Sequence, residues 1–176
     1  MTYTRVLLLC AVAALAACHG DSSQSQSGKA APAKHASSGA KKGPTREELT
    51  AGMVQAVTQG KSQVPVSVKF DLLQRPAVGQ ALDIDIAMLP QITADQATVQ
   101  VTASDGLNVA ADSRQIDFAA VEATQVYRHK ISVTPTAAGV YFVEFAVTLA
   151  HDTISESRSF SAPIIVEAAA GANDKG

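Results

Sequence analysis

From Val64 onward the apolar positions recur at every second residue. Val64, Val66, Val68 and Phe70 are separated by polar or small residues, and Leu82, Ile84, Ile86 and Met88 enclose Asp83, Asp85 and Ala87. Successive side chains of an extended strand point to opposite faces, so this alternation predicts strands with one buried face. Further runs fall at 98–103, 107–110, 115–118, 124–134, 139–150 and 153–166, with Asp105-Gly106 as a tight-turn dipeptide between the first two. Pro163 lacks the N–H that a ladder needs, which places the last run at an edge or breaks it there. The lack of a helical pattern between the runs argues against a parallel sheet. About seven short strands with turns between them fit an antiparallel β-sandwich over 61–167.

Upstream the period changes. Thr45-Arg46-Glu47-Glu48 has the spacing of a capping box, and Leu49, Met53, Ala56 and Val57 then fall on one helical face before Gly60 offers a stop. This predicts a short amphipathic helix over 45–59, in a segment 45–60 that leads into the sandwich, with Gly52 as a weak point. Residues 18–44 are Ser, Gly, Ala, Gln, Lys and Pro with almost no large apolar side chain. Such a segment cannot bury enough surface to order itself, so a flexible tether is expected there, as is a disordered tail over 168–176.

The start of the chain carries a different signal. Arg5 precedes an uncharged apolar run, Val6 to Ala17, that ends in Leu15-Ala16-Ala17-Cys18. A charged start, a short apolar middle and small residues before a cut are the parts of a secretory signal, and the run is too short to span a bilayer. Leu-Ala-Ala-Cys in this setting resembles the lipobox of bacterial lipoproteins. The resemblance implies that residues 1–17 are removed, that the Cys18 thiol is acylated, and that the protein is held on a membrane by several acyl chains. In that family the residue after the Cys helps to sort between membranes. His19 differs from the Asp that resembles an inner-membrane retention signal, which implies the outer membrane, facing the periplasm.

A second resemblance lies within the strands. Thr136-Ala137-Ala138-Gly139-Val140-Tyr141-Phe142-Val143 places Tyr141 two residues after Gly139 at the start of a strand, similar to the tyrosine corner of immunoglobulin-like domains. The resemblance implies an Ig-like β-sandwich in which the Tyr141 hydroxyl bonds back to the turn. Ala137 and Val143 stand where antibody domains carry Asp and Cys, and Trp is absent from the chain, so it extends to the sandwich class and not to antibody domains. Tyr141, Val143, Phe145, Val147 and Leu149 are the expected central core row.

Composition narrows the chemistry. The only cysteines are Cys10, in the signal, and Cys18, so once the signal is cut and Cys18 acylated no thiol remains for disulfides, redox work or metal binding. Charge is split along the chain: residues 19–44 hold four lysines against Asp21, whereas residues 61–167 hold seven basic and twelve acidic residues. A basic tether suits an anionic membrane surface, and an acidic domain is a poor partner for nucleic acid, whose phosphates a binder must neutralise.

Few residues point to catalysis. Asp83 and Asp85 share one strand face and can in principle hold a cation or act as acid and base, although alternation already accounts for them as a solvated face. His19, His35, His129 and His151 lack metal-ligand spacing, and Met53 and Met88 lie near none of them in sequence. His129 falls on an inward phase, and His151-Asp152-Thr153 reads as turn chemistry. Ser38-Gly39-Ala40-Lys41 matches the Ser-x-x-Lys spacing of acyl-transfer enzymes but falls in the tether, without a pocket to depress the lysine pKa. Ser155, Ser157, Ser159 and Ser161 alternate as a solvated strand face or an open edge. The expectation is a non-catalytic envelope lipoprotein without a cofactor, whose Ig-like domain binds or scaffolds a protein or cell-wall partner. A small-ligand or metal-binding periplasmic module is the first alternative and a hydrolase the second.

Overall fold

A computed structural model describes residues 43–168. Cys18, His19, His35, the Ser38–Lys41 motif, the signal, all of the tether but its last two residues and most of the C-terminal tail lie outside the described residues. The helix α1 (Arg46–Leu49) is followed by ten strands: β1 (Val54–Gln55), β2 (Val57–Gln59), β3 (Val66–Leu72), β4 (Leu82–Pro90), β5 (Ala94–Ala103), β6 (Leu107–Val109), β7 (Gln115–Val121), β8 (Tyr127–Pro135), β9 (Gly139–His151) and β10 (Ile154–Val166). They form two five-stranded sheets, ordered β1-β3-β4-β8-β6 and β2-β10-β9-β5-β7, and every pairing is antiparallel.

The fold is an Ig-like antiparallel β-sandwich, and its strand order says why. The first, second, fifth and fourth strands of an Ig-like domain share one sheet, and the third, sixth and seventh the other. Here β3, β4, β8 and β6 fill the first set and β5, β9 and β10 the second, with β7 added beside β5. The inward phase of each strand supplies the core. Ile84, Ile131, Val143, Phe145, Val147 and Ile164 are fully buried between the sheets, and Phe160 is 1% exposed. Tyr141 lies at the end of this row, and its hydroxyl donates to the Ala137 carbonyl at 2.9 Å. Its ring lies against Gly106, at φ +86°, where an added Cβ would meet Tyr141 Cε1 at 3.0 Å. Only glycine satisfies both the left-handed backbone and this close approach.

The segment before β3 departs from the predicted helix. The capping box forms, with the Glu48 N–H donating to Thr45 Oγ1 at 3.2 Å and the Thr45 N–H to Glu48 Oε2 at 2.7 Å. Yet the helix covers Arg46–Leu49 rather than 45–59, and Val54–Gln55 and Val57–Gln59 are strands. Gly52 takes φ +82°, which ends the helix. The β-branched Val54, Val57 and Thr58 then find ladder partners on the otherwise unpaired edges of β3 and β10. A four-residue helix has little stability of its own, so tertiary hydrogen bonding overrides the local 3.6-residue pattern. Of the expected apolar stripe only Ala56 is buried, while Leu49 and Val57 are exposed. The sandwich therefore begins at Val54.

Trimming Phe145 to Ala removes a ring with no exposed surface and should cost about 3–5 kcal/mol in urea unfolding. A loss below about 1 kcal/mol would reject the inward phase of β9. Tyr141→Phe keeps the ring and removes the corner hydrogen bond, with an expected loss of about 1 kcal/mol by the same measurement.

Candidate functional site

The outer face of the β3–β4–β8 sheet is a lattice of paired charges. Register aligns Lys69, Ala87 and Arg128 in one row, and Asp71, Asp85 and Lys130 in the next. Arg128 pairs with Asp85, and Lys130 Nζ stands 3.7 Å from Asp83. The bond to Asp85 raises the Arg128 pKa above its ordinary value. Asp83 and Asp85 are thus each committed to a cation of the neighbouring strand. The first row also seats α1: Arg128 donates to the Leu49 carbonyl at 3.3 Å and Lys69 to Thr50 Oγ1 at 2.9 Å, so the end of the helix lies over Ala87. Arg46 donates to the carbonyls of Ala123 and Pro90, fixing α1 at the end of the sandwich where β4 stops and β8 starts.

The described histidines are apart from one another and from the aspartates on β4. His129 is half-buried on the inward phase beside Ile86. His151 ends β9, with Nδ1 3.6 Å from Asp95 and Nε2 3.6 Å from Asp152. All three side chains are exposed, and the two ring nitrogens face different carboxylates. The Asp152 N–H donates to Asp95 at 2.8 Å, and Asp152 itself takes φ +52° in the hairpin turn. Among the described residues, no group of three or more His, Cys, Asp and Glu is arranged to hold a metal ion. The serines of β10 belong to the lattice around them: Ser157 shares a 2.7 Å hydrogen bond with Thr148, its carbonyl accepts from Ser62, and Ser161 is buried beside β2.

The outer face of the other sheet is where an apolar surface is left over. Along β9 and β10 the outward rows pair Phe142 with Pro163 and Val140 with Ile165. Val140 is 61% exposed, Phe142 46% and Ile165 65%, and Pro163 is exposed as well. The same face continues through Glu144 and Thr102, then through Ala146 and Gln100, and is polar or small. One end of one sheet therefore carries a contiguous apolar patch on a polar face. A cleft of about 380 Å³ is lined by Arg75, Pro76, Ala77, Val78, Gln80 and Glu167, the last of these two residues after Ile165 in the chain, and Arg75 pairs with Glu167.

The inward row of β9 is legible in the alternation, whereas Val140 and Phe142 stand outside it. The signal was present in Val140-Tyr141-Phe142-Val143 and Pro163-Ile164-Ile165-Val166, two stretches where alternation fails because both faces are apolar. An isolated run of this kind is ambiguous. Only the β9–β10 register shows that the surplus residues of the two strands meet.

No protein-family model matches the chain, and no curated protein matches it. Among solved structures, the CARDB domain of a Pyrococcus furiosus protein in complex with di-metal ions is similar at a TM-score of 0.44 and 14% identity, covering 62% of this chain and 94% of that one. The C-terminal domain of Wzt is similar at 0.43 and 12% identity, covering 68% of this chain and 81% of the other. Likeness of this degree carries no conclusion about activity.

The polar half of this face holds a carboxylate with a shifted pKa. Asp117 accepts from Thr98 Oγ1 at 2.7 Å and from Gln115 Nε2 at 2.9 Å, and these two bonds, the first the larger, lower its pKa below the ordinary 3.8. A carboxylate depressed in the folded state stabilises the fold above the unfolded pKa, and the contribution is lost as pH falls through the folded one. Thr98→Val should move the Asp117 titration, followed by carboxyl NMR, up toward the ordinary value and shrink this dependence below about pH 4. An unmoved titration would refute the assignment to Thr98. Calcium should leave the melting temperature unchanged, because Asp83 and Asp85 are already paired; a clear rise would show a cation site.

Proposed function

We propose that the protein is a membrane-anchored periplasmic lipoprotein whose Ig-like domain is non-catalytic and binds another protein through the apolar patch of Val140, Phe142, Pro163 and Ile165. The patch is the observation that carries this reading. Surface apolar side chains are ordinary when scattered, but a contiguous group on an otherwise polar sheet face is what a protein interface needs at its centre. Its chemistry favours a protein over a cell-wall polysaccharide, since the four side chains offer one aromatic ring and no hydrogen-bonding side chain with which to select sugar hydroxyls.

The placement of α1 supports the same reading. The chain enters the domain at α1, beside Pro90 and Ala123, whereas β9 starts and β10 stops at the opposite end. From Phe142 to His151 an extended strand covers about 30 Å. The patch and the point where the chain enters the domain thus lie at opposite ends of the sandwich. The basic composition of residues 18–44 suits an anionic membrane surface, whereas the acidic composition of the domain is repelled by one.

Two measurements test the two parts separately. Cys18→Ser should release the protein from membranes into the soluble fraction and remove the added acyl mass; retention with unchanged mass would sink the anchor. A photo-crosslinking residue at position 142 should capture a discrete protein from envelopes of cells expressing the protein. Phe142→Asp combined with Ile165→Asp should abolish recovery of that protein in a pulldown while leaving the melting temperature within about 2 °C, since both positions are exposed. Capture of peptidoglycan fragments alone would overturn the protein-partner reading in favour of a wall polymer.

A further inference from the structure

Residues 50–60 cross from one sheet to the other on the side of the sandwich where β3 and β10 are outermost. Val54 and Gln55 pair antiparallel with Phe70 and Lys69 of β3. The Ala56 N–H donates to the Val68 carbonyl at 2.9 Å, and Gln55 Nε2 donates to the same carbonyl at 3.0 Å. One residue later the chain has changed sheets, and Val57, Thr58 and Gln59 pair with Ser161, Phe160 and Ser159 of β10. Beneath it, Arg158 donates to the Val64 carbonyl at 2.9 Å and lies 5.5 Å from the Phe160 ring centroid.

Backbone ladders hold this crossing segment together with three side-chain bonds, from Lys69 to Thr50 Oγ1 at 2.9 Å, from Gln55 to the Val68 carbonyl, and from Arg158 to Thr58 Oγ1 at 3.4 Å. Ala56 alone is buried within β1–β2, and Val54 and Val57 are each 58% exposed. Gly52 and Gly60 bound it at φ +82° and +72°, with nothing within 4 Å of an added Cβ at either. Glycine at both ends permits the backbone rotation that detachment needs. Lifting the segment would leave β3 and β10 with unpaired edges, and such edges are templates for an added strand.

We infer that residues 50–60 are a detachable strap that guards a strand-addition groove along β3 and β10, and that the groove accepts an extended segment of a partner protein that mimics the strap, with a small residue at the position of Ala56. The groove already holds one such segment, this chain's own, which defines the chemistry of the competitor: antiparallel backbone, β-branched residues outward and a methyl inward. Main-chain hydrogen bonds supply affinity in this mode, and the small inward position supplies selection. The inference is independent of the apolar patch, which lies on a sheet face and not on this edge.

Hydrogen exchange on the intact protein tests release without any substitution. Amides of residues 54–59 should exchange at least about 100-fold faster than those of β9, because local opening needs less free energy than global unfolding. Equal rates would make the strap part of the cooperative core and overturn the proposal. A fluorescent synthetic peptide of residues 50–60, added to the intact protein, competes with a tethered strap whose effective concentration is in the millimolar range, so half-saturation is expected at about that level. Oxidising a Gln59→Cys, Ser159→Cys pair, which face one another across the ladder, should abolish peptide binding, and reductant should restore it. Binding that survives the closed disulfide, or no saturable binding to the open form, would each overturn the groove.

Discussion

With its only cysteines at positions 10 and 18, the sandwich has no disulfide between its sheets, and the interlocking of two inner rows of apolar side chains holds them face to face. Phe145, Phe160, Ile84 and Ile131 meet at the centre of these rows, fully or almost fully removed from water. Every other placement follows from that burial. Because the side-chain period in a strand is two, committing one row inward commits the other outward, and a slip of one residue would expose the entire core. The paired charges over β3, β4 and β8 and the apolar patch on β9 and β10 are therefore opposite consequences of one phase choice.

The two outer faces are used differently. On one, Asp83, Asp85, Lys130 and Arg128 satisfy one another across neighbouring strands, and Arg128 and Lys69 also hold the end of α1. Exposed ion pairs of this kind contribute little stability each, but they leave neither Asp83 nor Asp85 without a cationic partner. On the other face, Thr, Ser, Gln and Ala give way at one end to Val140, Phe142, Pro163 and Ile165. Nothing in the core requires these four to be apolar, since they point away from it. That is the physical reason to connect them with binding.

Edges are the remaining hazard of an open sandwich, and the chain deals with several of them by local means. Pro163 removes one donor near the end of β10, Ala120 at φ +52° bends β7, and the Tyr127 hydroxyl bridges the Glu122 N–H and the Ala120 carbonyl to hold that bend. The β1–β2 segment covers parts of β3 and β10 at once. It follows α1 directly in the chain, so the helix that Arg46, Lys69 and Arg128 hold in place leads straight into the edge guard.

The sandwich class was legible in the sequence because strand periodicity is a local property: Leu82, Ile84, Ile86 and Met88 declare a buried face without reference to any neighbour. The β9 core row and the outward placement of Asp83 and Asp85 were legible for the same reason. The segment 45–60 was misread past Leu49, because its 3.6-residue pattern is equally local, while the vacant edges of β3 and β10 that convert it to strands exist only after folding. The patch was hidden likewise. Val140-Tyr141-Phe142-Val143 is ambiguous by itself, and only the register that sets Phe142 beside Pro163 and Val140 beside Ile165 turns two irregular runs into one surface. Sequence alone determined which residues must leave water; tertiary structure decided which of the surplus apolar residues meet, because that depends on pairings between strands and not on order along the chain.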